Sequence, residues 1–224
     1  MRDRHTYFPS RGFRAVLSRH PAISVGLTFA VTSTVLFGMA NAGYIVRRTR
    51  LAVAPPDAVE VSDRALDDSA LKSLLGSTDR ILVPSLYIDA PIVSATERSE
   101  RAYQLALRDG VAHLPGTPEV GDFGNAYLFG HSSDFPLTPG DYKTVFATLS
   151  DVEPGAAVYV TDGLGNAYRY LVTGTAVVSP KDLSVTGQPK ERKRMLTLQT
   201  SYPVGTALRR FVVTAELDAE ILVR

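Results

Sequence analysis

Residues 195–217 read MLTLQTSYPVGTALRRFVVTAEL. Two runs within this stretch, Met195–Thr200 and Arg210–Leu217, are rich in Leu, Thr, Val and Phe. Thr, Val and Phe favour a pleated, half-buried surface, so both runs are predicted strands. Strand side chains alternate between faces, so only one of the neighbours Arg209 and Arg210 can point into a groove on that sheet.

Working outward, the same signature recurs at short intervals. Arg80–Pro84, Leu86–Ile88, Ala90–Val93, Ala126–Gly130, Ala157–Thr161, Ala167–Val172 and Thr175–Val178 all read as strands. Gly163–Asn166 supplies a hairpin turn between two of them. Many short strands with few helices predict a mainly β protein, a closed or nearly closed barrel with short helices. Upstream, Ser62 suits a helix N-cap, with Leu66, Ala70, Leu71, Leu74 and Leu75 as its apolar stripe and Gly76 as its stop. Leu51–Asp57, with Pro55 and Pro56, reads as a stiff linker. Lys190–Arg194 is a basic cluster of the kind found on solvated loops.

The net charge of +1 over 224 residues conceals an asymmetry. Residues 1–56 sum to +7 and residues 57–224 to −6. The mildly acidic folded part lacks the basic face that nucleic-acid binding needs. Pro21–Val46 contains no charged residue, and a bilayer core requires about 20 mostly apolar residues in a helix. Arg2, Arg4, Arg11, Arg14 and Arg19 precede it, while Arg47, Arg48 and Arg50 follow, which favours a cytoplasmic N-terminus. Ala40-Asn41-Ala42 would also suit signal-peptide cleavage, but the apolar run is longer than a signal core. The expected organisation is a cytoplasmic tail over 1–20, a transmembrane helix over 21–46, a linker with a short helix over 47–79, and a barrel domain over 80–224. Cysteine is absent, which excludes disulfides, thiolate nucleophiles and thiolate metal sites.

Three segments carry candidate chemistry. Gly110–Thr117 leads through Gly124 to Tyr127-Leu128-Phe129-Gly130-His131-Ser132-Ser133. Thr197-Leu198-Gln199-Thr200-Ser201-Tyr202-Pro203 follows, and then Arg209-Arg210-Phe211-Val212-Val213. This ordered set, with an apolar anchor in front, closely resembles the sortase family of surface-protein transpeptidases over about Arg80–Leu217. Tyr142–Phe146 and Val178-Ser179-Pro180 add to the likeness. Sortases place a catalytic His in a Gly-His turn after a strand, a Thr-Leu-x-Thr-Cys strand end, and an Arg on the next strand. The resemblance implies a sortase-like barrel with His131, the residue at position 201, and Arg210 as catalytic groups. Arg209 is the alternative to Arg210 and, with Thr200, a candidate for substrate binding. His113 reads as a structural strand end.

The departure from the pattern is Ser201, where the family has cysteine. A thiol ionises near pH 8.5 and can be tuned lower, whereas a serine hydroxyl needs a base held in register. Asp134 is the acidic residue nearest His131 in sequence, with its direction unknown. Three readings stand: a substitution that traps substrate, a degenerate site that binds sorting signals without turnover, or a slow serine nucleophile. The implied partners are sorting-signal peptides of the Leu-Pro-x-Thr-Gly type and an amine from a peptidoglycan precursor or a pilin. No cofactor or metal is implied, and Asp122, Asp134 and Asp141 lack a calcium-loop spacing. The implied location is the cell membrane, single-pass, with the C-terminal domain outside.

Overall fold

The computed structural model describes residues 21–40, 42–53, 76–135 and 137–221. The tail over 1–20 and the helix expected from Ser62, apart from its Gly76 stop, lie outside them. The first compact unit, residues 1–39, holds nearly all of helix α1 (Pro21–Ala40). Its stretch Ala22–Met39 is long and apolar enough to cross a membrane, and Val25, Phe29 and Phe37 are exposed along it. Twenty helical residues rise about 30 Å, the thickness of a bilayer core. The helix expected over 21–46 falls on α1 and on α2 (Ala42–Val53), with residue 41 outside the described residues. Within the second unit, Arg48 of α2 pairs with Asp151.

The rest of the second unit is built on eight strands. These are β1 (Arg80–Val83), β2 (Ile88–Ser94), β3 (Val111–His113), β4 (Gly124–Phe129), β5 (Ala157–Thr161), β6 (Ala167–Val178), β7 (Arg194–Tyr202) and β8 (Arg209–Ile221). They close into a barrel in the order β1-β2-β3-β4-β7-β8-β6-β5, with β5 pairing back onto β1. Alternation fills it. Leu196 and Leu198 of β7 and Val213 and Ala215 of β8 point inward, meeting Ile81, Val83, Ile88, Leu128 and Tyr170 in one buried cluster.

Most pairings are antiparallel, but β2–β3 and β4–β7 are parallel. A parallel neighbour needs a crossover, and for β2–β3 it is helix α3 (Glu100–Asp109). The sequence reading did not identify this helix. Ser99 caps it by accepting from the Ala102 amide, and Ala102, Ala106 and Leu107 pack on Ala112 outside the barrel. The runs 167–172 and 175–178, read as separate strands, are one strand. A register shift between Val172 and Gly174 against β8 produces the apparent break. His113 is buried, with Nε2 3.0 Å from both the Pro118 carbonyl and the Thr117 hydroxyl. Its place at the end of β3 matches the structural reading.

Candidate active site

Strand pairing decides which side chains can meet. β7 and β8 run antiparallel with Ser201 opposite Arg210 and Tyr202 opposite Arg209. Directly opposed residues share a face, so Arg210 lies beside Ser201 while Arg209 lies on the other side with Tyr202. Leu196, Leu198 and Thr200 define the inward face of β7, which puts Ser201 on the outer wall. Arg209 is exposed.

His131 follows β4, the parallel neighbour of β7. Their ladder runs to Phe129 opposite Gln199. It continues through the Gly130 amide, which donates to the Gln199 carbonyl at 3.0 Å. The Thr200 hydroxyl then donates to the Gly130 carbonyl at 2.9 Å. The residue before His131 is therefore clamped to the residue before Ser201. Glycine is needed here because a Cβ at position 130 would stand 2.8 Å from the Phe146 ring and 2.9 Å from Val145. The His131 carbonyl accepts from the Phe146 amide at 2.9 Å. Ser133 Oγ accepts from the Gly205 amide at 3.0 Å, which ties the histidine loop to the β7–β8 loop. Residues 131, 201 and 210 thus gather at one end of the β4–β7–β8 surface.

Thr200 is buried, and its one donor is committed to Gly130. The structure gives it the job of holding the histidine turn. Arg210 donates through Nη1 to the carbonyls of Ala207 at 3.2 Å and Arg209 at 3.1 Å. That anchors the guanidinium and leaves Nε and Nη2 for another acceptor.

The electrostatics follow from burial. The His131 side chain is 20% exposed, and burial pushes its imidazolium below the ordinary 6.5, opposed by Asp134 and then Glu100. Asp134, whose direction the sequence left unknown, turns Oδ2 toward His131 Nε2 at 3.9 Å. The reading of the sequence also passed over Tyr127 and Gln199. The Tyr127 hydroxyl donates to Gln199 Oε1 at 2.6 Å. Burial pushes the Tyr127 phenol well above its usual range, against the pull of Arg210. The signal for Gln199 was available, since it sits two residues before Ser201 on the same strand face. At the far end of this wall, Gln188 and Gly187 from the β6–β7 segment bond the Asn125 backbone and side chain.

The sortase domain family matches this chain over residues 81–218. No curated protein matches it. Among solved structures, it is similar to Clostridium perfringens sortase C with the C-terminal cell wall sorting motif. That match has 25% identity and a TM-score of 0.53, covering 64% of this chain and 72% of the other. Listeria monocytogenes sortase A matches at 25% identity and a TM-score of 0.52, covering 64% of this chain and 89% of the other. Sortase C-1 from Actinomyces oris shares the fold at 24% identity and a TM-score of 0.52, covering 80% of this chain and 99% of the other. With a closed barrel of the same architecture and a domain match over most of its length, the chain belongs to the sortase family, whose members are transpeptidases.

Proposed function

We propose that this chain is a membrane-anchored sortase-type transpeptidase acting on a Leu-Pro-x-Thr-Gly-like sorting signal, with Ser201 in the place of the thiol nucleophile. The observation that carries the reading is the register pairing of Ser201 with Arg210, beside a histidine turn clamped to the same strand.

The Ser201 oxygen attacks the threonine carbonyl carbon of the signal while His131 takes the hydroxyl proton. The developing oxyanion is held by Arg210 Nε and Nη2, fixed donors that keep their charge. The carbon–nitrogen bond to glycine breaks, and His131 returns the proton to the leaving amine. An acceptor amine, from a peptidoglycan precursor or a pilin, then attacks the ester. His131 takes its proton, the ester bond breaks, and the Ser201 hydroxyl re-forms. Splitting the exchange in two lowers each barrel-surface step's barrier, but a hydroxyl is a much weaker acid than a thiol, so Ser201 slows acylation. The exposed apolar side chains of Phe135 and Leu208, close in sequence to His131 and Arg210, suit an apolar peptide. An exposed, apolar α1 supports anchoring in the cell membrane, and the five arginines before it against three after favour a barrel outside. Arg209 contributes at most a long-range charge, and Thr200 acts by holding Gly130.

A second reading, a module that binds the sorting signal without cutting it, draws on the hydroxyl at position 201 where the family has a thiol. Both are tested by incubating the full chain in detergent with a fluorogenic sorting peptide and an amine, before and after Ser201→Cys. Turnover in either protein supports the transpeptidase, and binding without turnover in both supports the module. Neither turnover nor binding in both proteins refutes the two together.

A further inference from the structure

The loop after His131 folds back so that Asp134 stands three residues on, with its carboxylate facing the imidazole. Two of its contacts fix it. Oδ1 accepts from the Phe135 amide at 2.6 Å and from the Thr138 hydroxyl at 3.2 Å. Those bonds occupy one oxygen and leave Oδ2 aimed at His131 Nε2, 3.9 Å away. Both side chains are largely buried, 20% and 23% exposed. Such a pair is screened less than one on the open surface. It borders a small pocket of about 40 Å³, lined by Gln104 and Arg108 of α3 and by Lys143.

We propose that Asp134 is the positioning residue of His131: a carboxylate, locked by its own loop, that orients the ring and favours its protonated form. With Nε2 facing Asp134, Nδ1 is the nitrogen left to exchange a proton with the reacting groups. A hydroxyl nucleophile needs such support more than a thiol does, because its proton leaves only as the base takes it. The charged groups around His131 are Asp134 on its own loop, Glu100 and Arg108 on α3, and Lys143 on the segment that follows. Asp134 is the nearest carboxylate of these, and it opposes the effect of burial on the imidazole.

The inference rests on the reading of His131 as the proton-transfer group, but its test does not depend on turnover. The full chain in detergent, labelled with 13C-histidine, is titrated by NMR as the parent protein, as Asp134→Asn and as Asp134→Ala. Asp134→Asn keeps an oxygen for Phe135 and Thr138 and removes only the charge. The expected result is a His131 midpoint displaced to lower pH in both variants, with thermal stability retained in Asp134→Asn. In the Ser201→Cys background, Asp134→Asn lowers kcat/KM by about tenfold or more, and moves the His131 limb of the pH profile to lower pH. An unmoved His131 midpoint in Asp134→Asn overturns the proposal, even if the peptide is cleaved. A moved midpoint in a protein that neither binds nor cleaves peptide keeps the pairing and refutes only the transpeptidase.

Discussion

Arg210 and Arg209 are neighbours in sequence with opposite orientations, so removing each in turn tests the register directly. In the Ser201→Cys background, Arg210→Ala deletes the guanidinium opposite position 201. Two of its five N–H groups, both on Nη1, are spent on the Ala207 and Arg209 carbonyls at 3.2 and 3.1 Å. Those bonds set the plane of the group, and the three remaining donors are what an oxyanion would meet. Loss of one preorganised oxyanion donor costs about 10²–10³ in kcat, about 2.7–4 kcal/mol, and that is the drop expected. Arg210→Lys keeps the charge but cannot bond two carbonyls and present a fork, so it falls between the two. Arg209→Ala, on the opposite face, changes kcat by no more than about twofold, equivalent to about 0.5 kcal/mol. The assay is steady-state cleavage of a fluorogenic sorting peptide at fixed pH and salt. If Arg209→Ala loses as much activity as Arg210→Ala, the reasoning from strand register is wrong.

Other expectations follow from single contacts. Thr200→Val keeps the shape of a buried residue but leaves the Gly130 carbonyl without its donor. It should lower stability by about 1–3 kcal/mol in denaturant unfolding and broaden the His131 resonance. Leu198→Ala removes a fully buried side chain from the barrel centre and should cost about 2–5 kcal/mol by the same measurement. His131 carries a depressed pKa in the fold, so the unfolded chain binds its proton more readily. That contribution to stability is present above the ordinary 6.5 and is lost as pH falls from there through the lower folded value. Denaturation of the parent protein and His131→Gln across that window should therefore diverge, with the variant less sensitive to acid.

The barrel was legible because its strands alternate. Leu196, Thr197, Leu198 and Gln199 declare a two-residue period, and β5 and β7 lie within one or two residues of their expected ends, while β8 runs four residues past the expected Leu217 to Ile221. Helix α3 was missed although Ser99 and Glu100 form a good start, because its apolar face consists largely of alanines too small to make a clear stripe. The break inside β6 was misread because Gly174 sits at a register shift, where pattern alone cannot separate a bulge from a strand end. At the site, the choice of Arg210 over Arg209 came from the resemblance to the family's Arg, and the strand register sets Arg210 opposite Ser201. The direction of Asp134 did not come through, since it depends on how the loop closes onto Phe135 and Thr138, which no local period encodes.

Stability alone does not account for the loop from Gly130 to Asp134. Gly130 brings the conformational cost of glycine, His131 is held partly desolvated, and the buried Ser132 hydroxyl has no partner among the described residues. An unsatisfied buried hydroxyl by itself costs about 1–3 kcal/mol. A loop selected only to join β4 to the next segment would shed these costs by exposing the polar groups or replacing them with apolar ones. Unfavourable choices concentrated on one short turn are what a fold carries where it must hold a reactive group in place. Their presence beside Ser201 fits the proposed chemistry at position 201, and on that proposal the change from the family's sulfur to oxygen is confined to the nucleophile itself. Ser201→Cys should then confer activity without a second substitution, and a cysteine variant that binds the sorting peptide yet never forms a thioester would refute this.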